Sequence, residues 1–112
     1  MTIQIGQRPF DEDVLIDQIG RMNIYAISGG RVGITKNDQG ETVEVELKVG
    51  KGYRVSISLG WDDTWTVSRQ FVRKGVVSDK GTLTGVFADQ VGEIAYKASC
   101  FVNVQFGEKE SA

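Results

Sequence analysis

Two central stretches of the chain alternate apolar and polar residues and predict neighbouring β-strands. Residues 42–49 place valine or leucine at every second position, with glutamate and lysine between them, and residues 53–59 repeat the pattern. A period of two puts the apolar side chains on one face of a sheet and the polar side chains on the other. We therefore expect an antiparallel sheet with one covered and one solvent-exposed face, and a hairpin loop at residues 50–52.

Shorter segments on either side extend this predicted sheet. Residues 23–28 are rich in β-branched and aromatic side chains, which favours a strand over a continuation of the preceding helix. A turn at residues 28–30 would let residues 31–36 pair back onto this strand. Residues 102–106 alternate again and predict an edge strand.

The segment 64–73 is less regular, because Arg69 shares a face with three apolar residues. Either Arg69 extends to solvent at an edge of the sheet, or a bulge shifts the alternation. Glycine and aspartate predict loops at residues 60–63 and 78–81.

Helical spacing of apolar residues predicts two helices. Residues 11–19 open with three acidic residues, which are favoured in a first turn, and Gly20 is placed to end this helix. Its apolar stripe consists of Leu15, Ile19 and Met22. The second helix has Thr84 as its expected N-cap and Glu93–Lys97 as a favourable pair. Its apolar stripe consists of Phe87, Val91, Ile94, Ala98 and Phe101.

These elements predict an α+β domain. We expect a four- or five-stranded, mainly antiparallel sheet with one or two helices packed on one face. Residues 1–112 form a single predicted domain, of which residues 106–112 are a frayed polar tail.

Composition removes several classes of enzyme. The chain of 112 residues has one cysteine, no histidine and a formal net charge of −2. Catalytic triads and zinc sites that use histidine are excluded, and one cysteine cannot build a thiolate site. We expect a non-enzymatic protein without cofactor or metal. The lone cysteine, the lack of a signal pattern and the lack of a long apolar run predict a cytoplasmic protein without a membrane segment.

Three acidic or thiol features receive structural interpretations. Asp62 and Asp63 have the chemistry of a cation site, but aspartate in a turn usually bonds nearby backbone. Asp89 and Glu93 are spaced like a catalytic dyad on one helical face, and we expect a solvated stripe with Lys97 as counterion instead. Cys100 is expected to be buried and inert.

A candidate anion-binding loop lies at Ser28-Gly29-Gly30-Arg31. Backbone N–H groups of such a loop can form a nest for an anion, and the arginine adds charge. The loop lacks the spacing of a phosphate-binding P-loop, so a simple turn is the competing interpretation.

A candidate partner-binding patch combines Trp61 with Arg54, Arg69 and Arg73. An exposed tryptophan near arginines is typical of a protein-binding hot spot. The same mixture of basic and aromatic residues suits single-stranded nucleic acid. The isoelectric point of about 5.1 argues against nucleic acid, because nucleic-acid-binding domains are usually basic.

Three segments resemble small proteins encoded by bacteriophages and mobile elements, especially of actinobacteria. The segments are QIGRMNIYAISGGR (18–31), DTWTVSRQFVR (63–73) and GVFADQVGEIAYKASCF (85–101). In this pattern, Trp65 and Phe87 stand at positions where the resembling proteins have tyrosine. The resemblance implies a phage context and carries no activity, cofactor or catalytic residue.

The predicted function is therefore an accessory one. We expect a phage protein that binds a host or phage protein in the bacterial cytoplasm, with a homo-oligomer as a further possibility. The alternative is a small module that binds anions or nucleic acid through residues 28–31 and the arginines and lysines of the strands.

Overall fold

The computed structural model describes residues 8–60 and 62–100, and this part of the chain forms three helices and five strands. In chain order, the elements are α1 (Glu12–Ile19), α2 (Arg21–Ser28), β1 (Val32–Lys36), β2 (Thr42–Gly50), β3 (Tyr53–Leu59), β4 (Trp65–Arg73), β5 (Val76–Val86) and α3 (Val91–Ser99). The Asp11 carboxylate caps α1 by accepting a hydrogen bond from the N–H of Asp13 at 2.9 Å. The first predicted helix is confirmed, including its end at Gly20.

The five strands form one antiparallel sheet in which each strand pairs with the next along the chain. This arrangement confirms the predicted α+β class and sheet. The alternation in β2 and β3 persists in the structure, since Val45 pairs with Ile57 on the buried face and Glu46 pairs with Ser56 on the polar face. The hairpin loop predicted at residues 50–52 joins these two strands.

All three helices pack on the apolar face of the sheet. The shared core contains, from the strands, Val45, Leu47, Val55, Ile57, Trp65, Val67 and Val86, and from the helices, Leu15, Ile19, Ile24, Ile27, Val91, Ala95 and Ala98. The described helices do not cover the opposite face, where side chains hydrogen-bond to one another. Thr42, Glu46 and Ser56 are nevertheless buried there, so this face is only partly exposed to solvent. Burial of aliphatic side chains on one face is what holds these short helices in place.

The strand predicted at residues 23–28 is wrong, because this segment is the helix α2. Ile24 and Ile27 are buried at helical spacing, while Tyr25 between them is exposed. Tertiary burial of these isoleucines outweighs the strand preference of β-branched residues. Residues 31–36 therefore pair with β2 and not with residues 23–28. Met22 is 87 % exposed, because α1 ends at Gly20 and α2 starts a new helix.

The turn predicted at residues 78–81 is also wrong, because these residues continue β5. The pairing of β4 with β5 shifts register between Ser68 and Gln70, which marks a bulge. Asp79 stabilises the irregular backbone, since its carboxylate accepts hydrogen bonds from the Gly81 N–H at 2.8 Å and the Thr82 hydroxyl at 2.7 Å. An aspartate and a glycine at a bulge resemble the signature of a turn.

The last helix starts later than the apolar spacing predicts. Thr84 belongs to β5 and is not the N-cap, and Phe87 is 59 % exposed before α3 begins. The buried residues of the helix are Val91, Gly92, Ala95 and Ala98. Phe101 and the strand predicted at residues 102–106 lie outside the described residues.

Successive turns of the sheet alternate between its two ends. The α2–β1 turn, the β2–β3 turn and the β4–β5 turn lie together at what we call the hairpin end. The β1–β2 turn, the β3–β4 loop and the start of α1 lie at the opposite loop end. None of the helices in residues 8–60 and 62–100 has the length and apolar character needed to span a membrane.

Candidate anion-binding site

The Ser28–Arg31 segment is the C-terminal cap of α2. Gly29 adopts a left-handed conformation with φ 64° and donates its N–H to the Tyr25 carbonyl at 2.8 Å. Ser28 is buried, and its hydroxyl donates to the Ile24 carbonyl at 3.0 Å. The N–H of Arg31 donates to the Ser28 carbonyl at 3.1 Å. These N–H groups face carbonyl oxygens of the chain itself, and the negative end of a helix dipole lies here.

The Arg31 side chain joins this cap to the neighbouring strand. Its Nε donates to the Ser28 carbonyl at 3.0 Å, and its Nη2 contacts the carbonyls of Lys48 at 3.2 Å and Val49 at 3.4 Å. The guanidinium is therefore held at the hairpin end with a fixed orientation. Arg31 contributes to the candidate site through this side chain and not through a backbone nest.

A surface pocket of about 440 Å³ opens beside Arg31 at the hairpin end. Its lining consists of Arg31, Lys48, Gly50, Lys51, Gly52, Tyr53, Arg54 and Val72. Four of these side chains are cationic, and none is a carboxylate. Arginine offers a planar fork of donors and lysine a compact point charge, which together suit an oxyanion such as phosphate.

Two of the four cations are directly paired on neighbouring strands, on the same face of the sheet. Lys48 of β2 pairs with Arg54 of β3, and both side chains belong to the polar face. Like charges in this arrangement destabilise a sheet. Arg54 is oriented by Gln70, because its Nε donates to the Gln70 Oε1 at 2.7 Å.

The ion pairs of the described residues do not involve the pocket cations. Within residues 8–60 and 62–100, the ion pairs are Arg8–Asp63 and Lys97–Glu93, and neither involves a residue of the pocket. Arg54 still interacts with the charge of Glu44 on the same face, so the pocket cations are partly balanced by carboxylates without forming a direct ion pair among the described residues.

Two carboxylates of β2 lie on the same face as Lys48. Glu44 and Glu46 of β2 project there, and the Thr35 hydroxyl donates to Glu46 Oε2 at 2.7 Å. The Ser56 hydroxyl donates to the Glu44 carboxylate. Burial raises the pKa of Glu44 above its ordinary value, and the Ser56 hydrogen bond and the Arg54 charge oppose this effect. The acidic pair limits how far an anion can extend over the face.

The β2–β3 turn carries an unfavourable residue for its shape. Lys51 has φ 56° and Gly52 has φ 89°, so both residues have the positive φ of a type I′ turn. Asparagine, aspartate or glycine is preferred at the first position, because a lysine side chain crowds the backbone there. The β4–β5 turn repeats the arrangement, with Lys74 at φ 53° and Gly75 at φ 80°.

The residues of the predicted partner-binding patch do not form a single surface. Arg54 lies on the polar face of the sheet and Arg69 on the helix-covered face. Arg73 is exposed at the hairpin end, where β4 finishes. Trp61 lies outside the described residues. A protein partner thus remains a prediction from sequence.

Arg69 supports the fold. The register of β4 with β3 runs without interruption through Arg69, which is 6 % exposed under α3. Its Nε donates to the carbonyl of Ala98 at 2.9 Å, at the negative end of that helix. Burial lowers the pKa of the guanidinium. Arg69 does not extend to solvent at an edge of the sheet. A register shift against β5 does occur between Ser68 and Gln70, but it does not shift the alternation, because Arg69 stays opposite Val55 on the buried face.

The acidic pairs take local structural roles. Asp62 accepts hydrogen bonds from the Thr64 hydroxyl at 2.7 Å and its N–H at 3.2 Å, which lowers the pKa of Asp62. Asp63 pairs with Arg8. Glu93 pairs with Lys97 at 3.0 Å, as predicted, and Asp89 lies in the turn before α3. In the described ranges 8–60 and 62–100, no three acidic or thiol groups come together as metal ligands.

Cys100 is exposed, which corrects the prediction of a buried thiol. The residue follows the last buried position of α3, Ala98, and its N–H closes the end of the helix by bonding to Tyr96 at 3.1 Å and Lys97 at 3.2 Å. The prediction followed from an apolar stripe that was extended through Phe101, which put Cys100 among buried residues.

Lys48 and Lys51 are the functional candidates that sequence reasoning missed. Lys48 reads as an ordinary polar position of an alternating strand, and only the register with Arg54 brings the two charges together. Lys51 has a recognisable signal, since lysine precedes glycine in a two-residue hairpin turn and again at Lys74.

Comparisons with protein-family profiles, with curated proteins and with solved structures find no match for this chain. The resemblance to small phage proteins therefore stays a prediction from three sequence segments.

Proposed function

We propose that this protein is a non-enzymatic module that binds a phosphate-bearing anion at the hairpin end of its sheet, in the cytoplasm. The observation that carries the proposal is the convergence of four cations on one pocket, with no carboxylate among the described residues that line it. Anion binding is the alternative function that the sequence predicts. Here the anion would contact the side chains of Arg31, Lys48, Lys51 and Arg54, and not the backbone of residues 28–31.

The electrostatics of the pocket support an anion as its occupant. Lys48 and Arg54 repel each other across neighbouring strands, and a bound anion would relieve this repulsion. Arg31 and Arg54 are already oriented by hydrogen bonds to carbonyls and to Gln70, so less side-chain entropy is lost when a ligand binds.

The test is calorimetric titration with tripolyphosphate, a compact phosphate polyanion, at low salt. We expect binding that weakens as salt is added. Arg54→Gln and Lys51→Asn should each weaken it about threefold to tenfold, because each removes one charge from the pocket. Lys36→Gln is the matched control, since it removes a charge at the loop end.

Two results would contradict the proposal. If tripolyphosphate does not bind at low salt, the pocket is not an anion site. If Lys36→Gln weakens binding as much as Arg54→Gln and Lys51→Asn do, the binding comes from general charge attraction and not from the pocket. Urea unfolding of each variant shows whether the fold is retained.

A further inference from the structure

We propose that anion binding at the hairpin end is coupled to proton uptake by a carboxyl pair on the polar face, formed by Glu44 and Glu46 of β2. The proposal rests on the proposed function and adds its regulation, because the pocket should bind more tightly as the pH falls and release its anion as the pH rises. The lysines and arginines of the pocket would not by themselves give this dependence, since they stay charged between pH 5.5 and pH 7.

The hydrogen bonds of the two glutamates bring their carboxyl groups together. Thr35 of β1 is the cross-strand partner of Glu44, and Ser56 of β3 is the cross-strand partner of Glu46. The hydroxyls donate in the crossed arrangement, since Thr35 bonds to Glu46 at 2.7 Å and Ser56 bonds to Glu44. Each glutamate therefore leans along β2 toward the other, and the two carboxyl groups lie side by side.

The carboxyl pair is partly removed from water. Glu46 is 8 % exposed and Glu44 is half-buried. A Cβ at Gly33 of β1 would lie 2.9 Å from Glu46 Oε1, so glycine leaves room for this carboxylate against the sheet. Burial is the main cause that raises the pKa of Glu44, and the charge of Glu46 adds to it. Two neighbouring carboxyls in such a place titrate as a coupled pair, and the first proton is held more tightly than on an isolated glutamate.

The carboxyl pair lies one step along the strands from two pocket cations. Lys48 follows Glu46 by two residues on β2, and Arg54 precedes Ser56 by two residues on β3, which is a rise of about 7 Å. This distance is shorter than the screening length of roughly 10 Å at 0.1 M salt. The charge of Arg54 already acts on Glu44 and opposes the rise of its pKa. An anion that neutralises Arg54 removes this effect and adds negative charge, so it should make the pair bind its proton more tightly.

The same coupling acts on the anion. If a bound anion strengthens proton binding by some factor, a bound proton strengthens anion binding by the same factor. The proton comes from solvent, and its uptake removes one negative charge from the face beside the pocket. We expect the anion to bind about threefold to tenfold more tightly when the pair is protonated.

No other charged group around Glu44 titrates in this range of pH. On the strands next to it, the charged groups of this face are Lys48 and Arg54 toward the hairpin end and Lys36 of β1 toward the loop end. All three stay positive between pH 5.5 and pH 7. The chain has no histidine, which is the side chain that normally titrates there. A proton taken up with the anion in this range is therefore assigned to the carboxyl pair.

Most of the other acidic residues that the structure describes lie away from the pocket. The loop end holds three of them at residues 11–13, together with Asp38, Glu41, Asp62 and Asp63, and the cations there are Arg8 and Lys36. Asp79 of β5 is separated from β3 by β4. Charge is thus separated along the strands, with an acidic loop end, a basic hairpin end and the carboxyl pair between them.

The test uses trimetaphosphate, a cyclic phosphate whose own charge does not change between pH 5.5 and pH 7. Calorimetric titrations at these two pH values, each in two buffers of different ionisation enthalpy, give the affinity and the number of protons taken up per anion. We expect binding to be about threefold to tenfold tighter at pH 5.5, with uptake of a fraction of one proton.

Glu44→Gln tests the assignment to the carboxyl pair. It should bind trimetaphosphate more tightly than the parent protein at pH 7, take up no proton and lose most of the pH dependence. The amide oxygen can still accept the Ser56 hydroxyl proton. Glu41→Gln is the matched control, because it removes an exposed carboxylate at the loop end, and it should keep the pH dependence of the parent. Urea unfolding identifies any variant that has lost the fold.

A measurement on the parent protein needs no variant. Carbon-13 NMR follows the side-chain carboxyl of Glu44 as the pH is changed. Its titration midpoint should move to higher pH when trimetaphosphate is present, and an unchanged midpoint would overturn the coupling.

The outcomes separate this proposal from the proposed function. If trimetaphosphate binds equally at both pH values without proton uptake, the coupling is wrong and the anion pocket stands. If Glu44→Gln keeps the pH dependence of the parent, the assignment to the carboxyl pair is wrong. If trimetaphosphate binds at neither pH value, the anion pocket and the coupling are both wrong.

Discussion

Two lysines in this protein occupy positions where their backbone conformation is unfavourable. At Lys51 and Lys74 the φ values of 56° and 53° bring the side chain close to the following carbonyl. Asparagine tolerates this region better, because its short side chain bonds to the local backbone. The structure therefore exchanges some turn stability for charge at the hairpin end.

We expect Lys51→Asn and Lys74→Asn each to raise the free energy of unfolding by about 0.5–1 kcal/mol. Lys51→Gln is the control, because it removes the same charge without improving the turn, and its gain should be close to zero. Urea unfolding at moderate salt measures the differences. A loss of stability in Lys51→Asn would show that the lysine side chain itself stabilises the hairpin.

Glu44 predicts a pH dependence of stability. Burial raises the pKa of its carboxyl in the folded protein, so the folded state holds this proton more tightly than the unfolded chain does. The stabilisation from protonated Glu44 is complete below the unfolded pKa and is lost as the pH rises through the folded pKa. At neutral pH the half-buried carboxylate therefore weakens the fold.

Accordingly, Glu44→Gln should be more stable than the parent protein at pH 7. This advantage should shrink as the pH falls through the raised pKa of Glu44 in the folded protein, and it should be gone below the ordinary pKa of a glutamate. The amide oxygen can still accept the Ser56 hydroxyl proton. Urea unfolding at pH 7 and pH 4 gives the comparison, with Glu41→Gln at an exposed site as the control. An advantage that grows on acidification would contradict the assigned direction of the pKa.

Among the helices, α1 and α3 cross with almost no space between their backbones. A Cβ built at Gly92 would lie 2.5 Å from the Ile19 carbonyl oxygen and 2.9 Å from the Asn23 amide nitrogen. Asn23 is itself fixed there, because its Nδ2 donates to the Ile19 carbonyl at 2.8 Å. Gly92 thus allows the first turn of α3 to contact the end of α1 directly.

Gly92→Ala should destabilise the protein by about 2–3 kcal/mol, although alanine favours a helix, because the added methyl group forces the two helices apart. Its neighbour Glu93 is exposed, and Glu93→Ala should change stability by less than about 0.5 kcal/mol. Thermal and urea unfolding of both variants test the contrast. An unchanged midpoint in Gly92→Ala would mean that the helices cross further apart.

At the scale of the elements, the sequence predicts those helices and strands whose apolar residues have a clear periodicity. The strands β2 and β3 and the helix α1 follow from alternation and from acidic capping residues. The helix α2 does not, because eight residues with several β-branched side chains have no intrinsic preference for a helix. The paired glycines after Ser28 were its available signal, since a glycine commonly ends a helix in the left-handed conformation.

For the molecule as a whole, the sequence identifies Arg31 and Arg54 as candidate residues but does not predict that they share one site. Its charges come from the α2–β1 turn, from β2, from the β2–β3 turn and from β3, and strand register alone brings them together. Alternation already places Arg54 on the polar face and Arg69 on the apolar face, but it does not show that Arg54 lies opposite Lys48. Such placement depends on pairing between distant segments, which residue spacing does not encode.

The separation of charged residues between the two ends of the sheet gives the molecule an electric dipole directed along its strands. In the field of a polyanion, this dipole experiences a torque that turns the hairpin end forward before contact. The effect acts within about one screening length, roughly 10 Å at 0.1 M salt. The protein should therefore dock with its hairpin end first, and the outer surfaces of its helices stay accessible to another molecule.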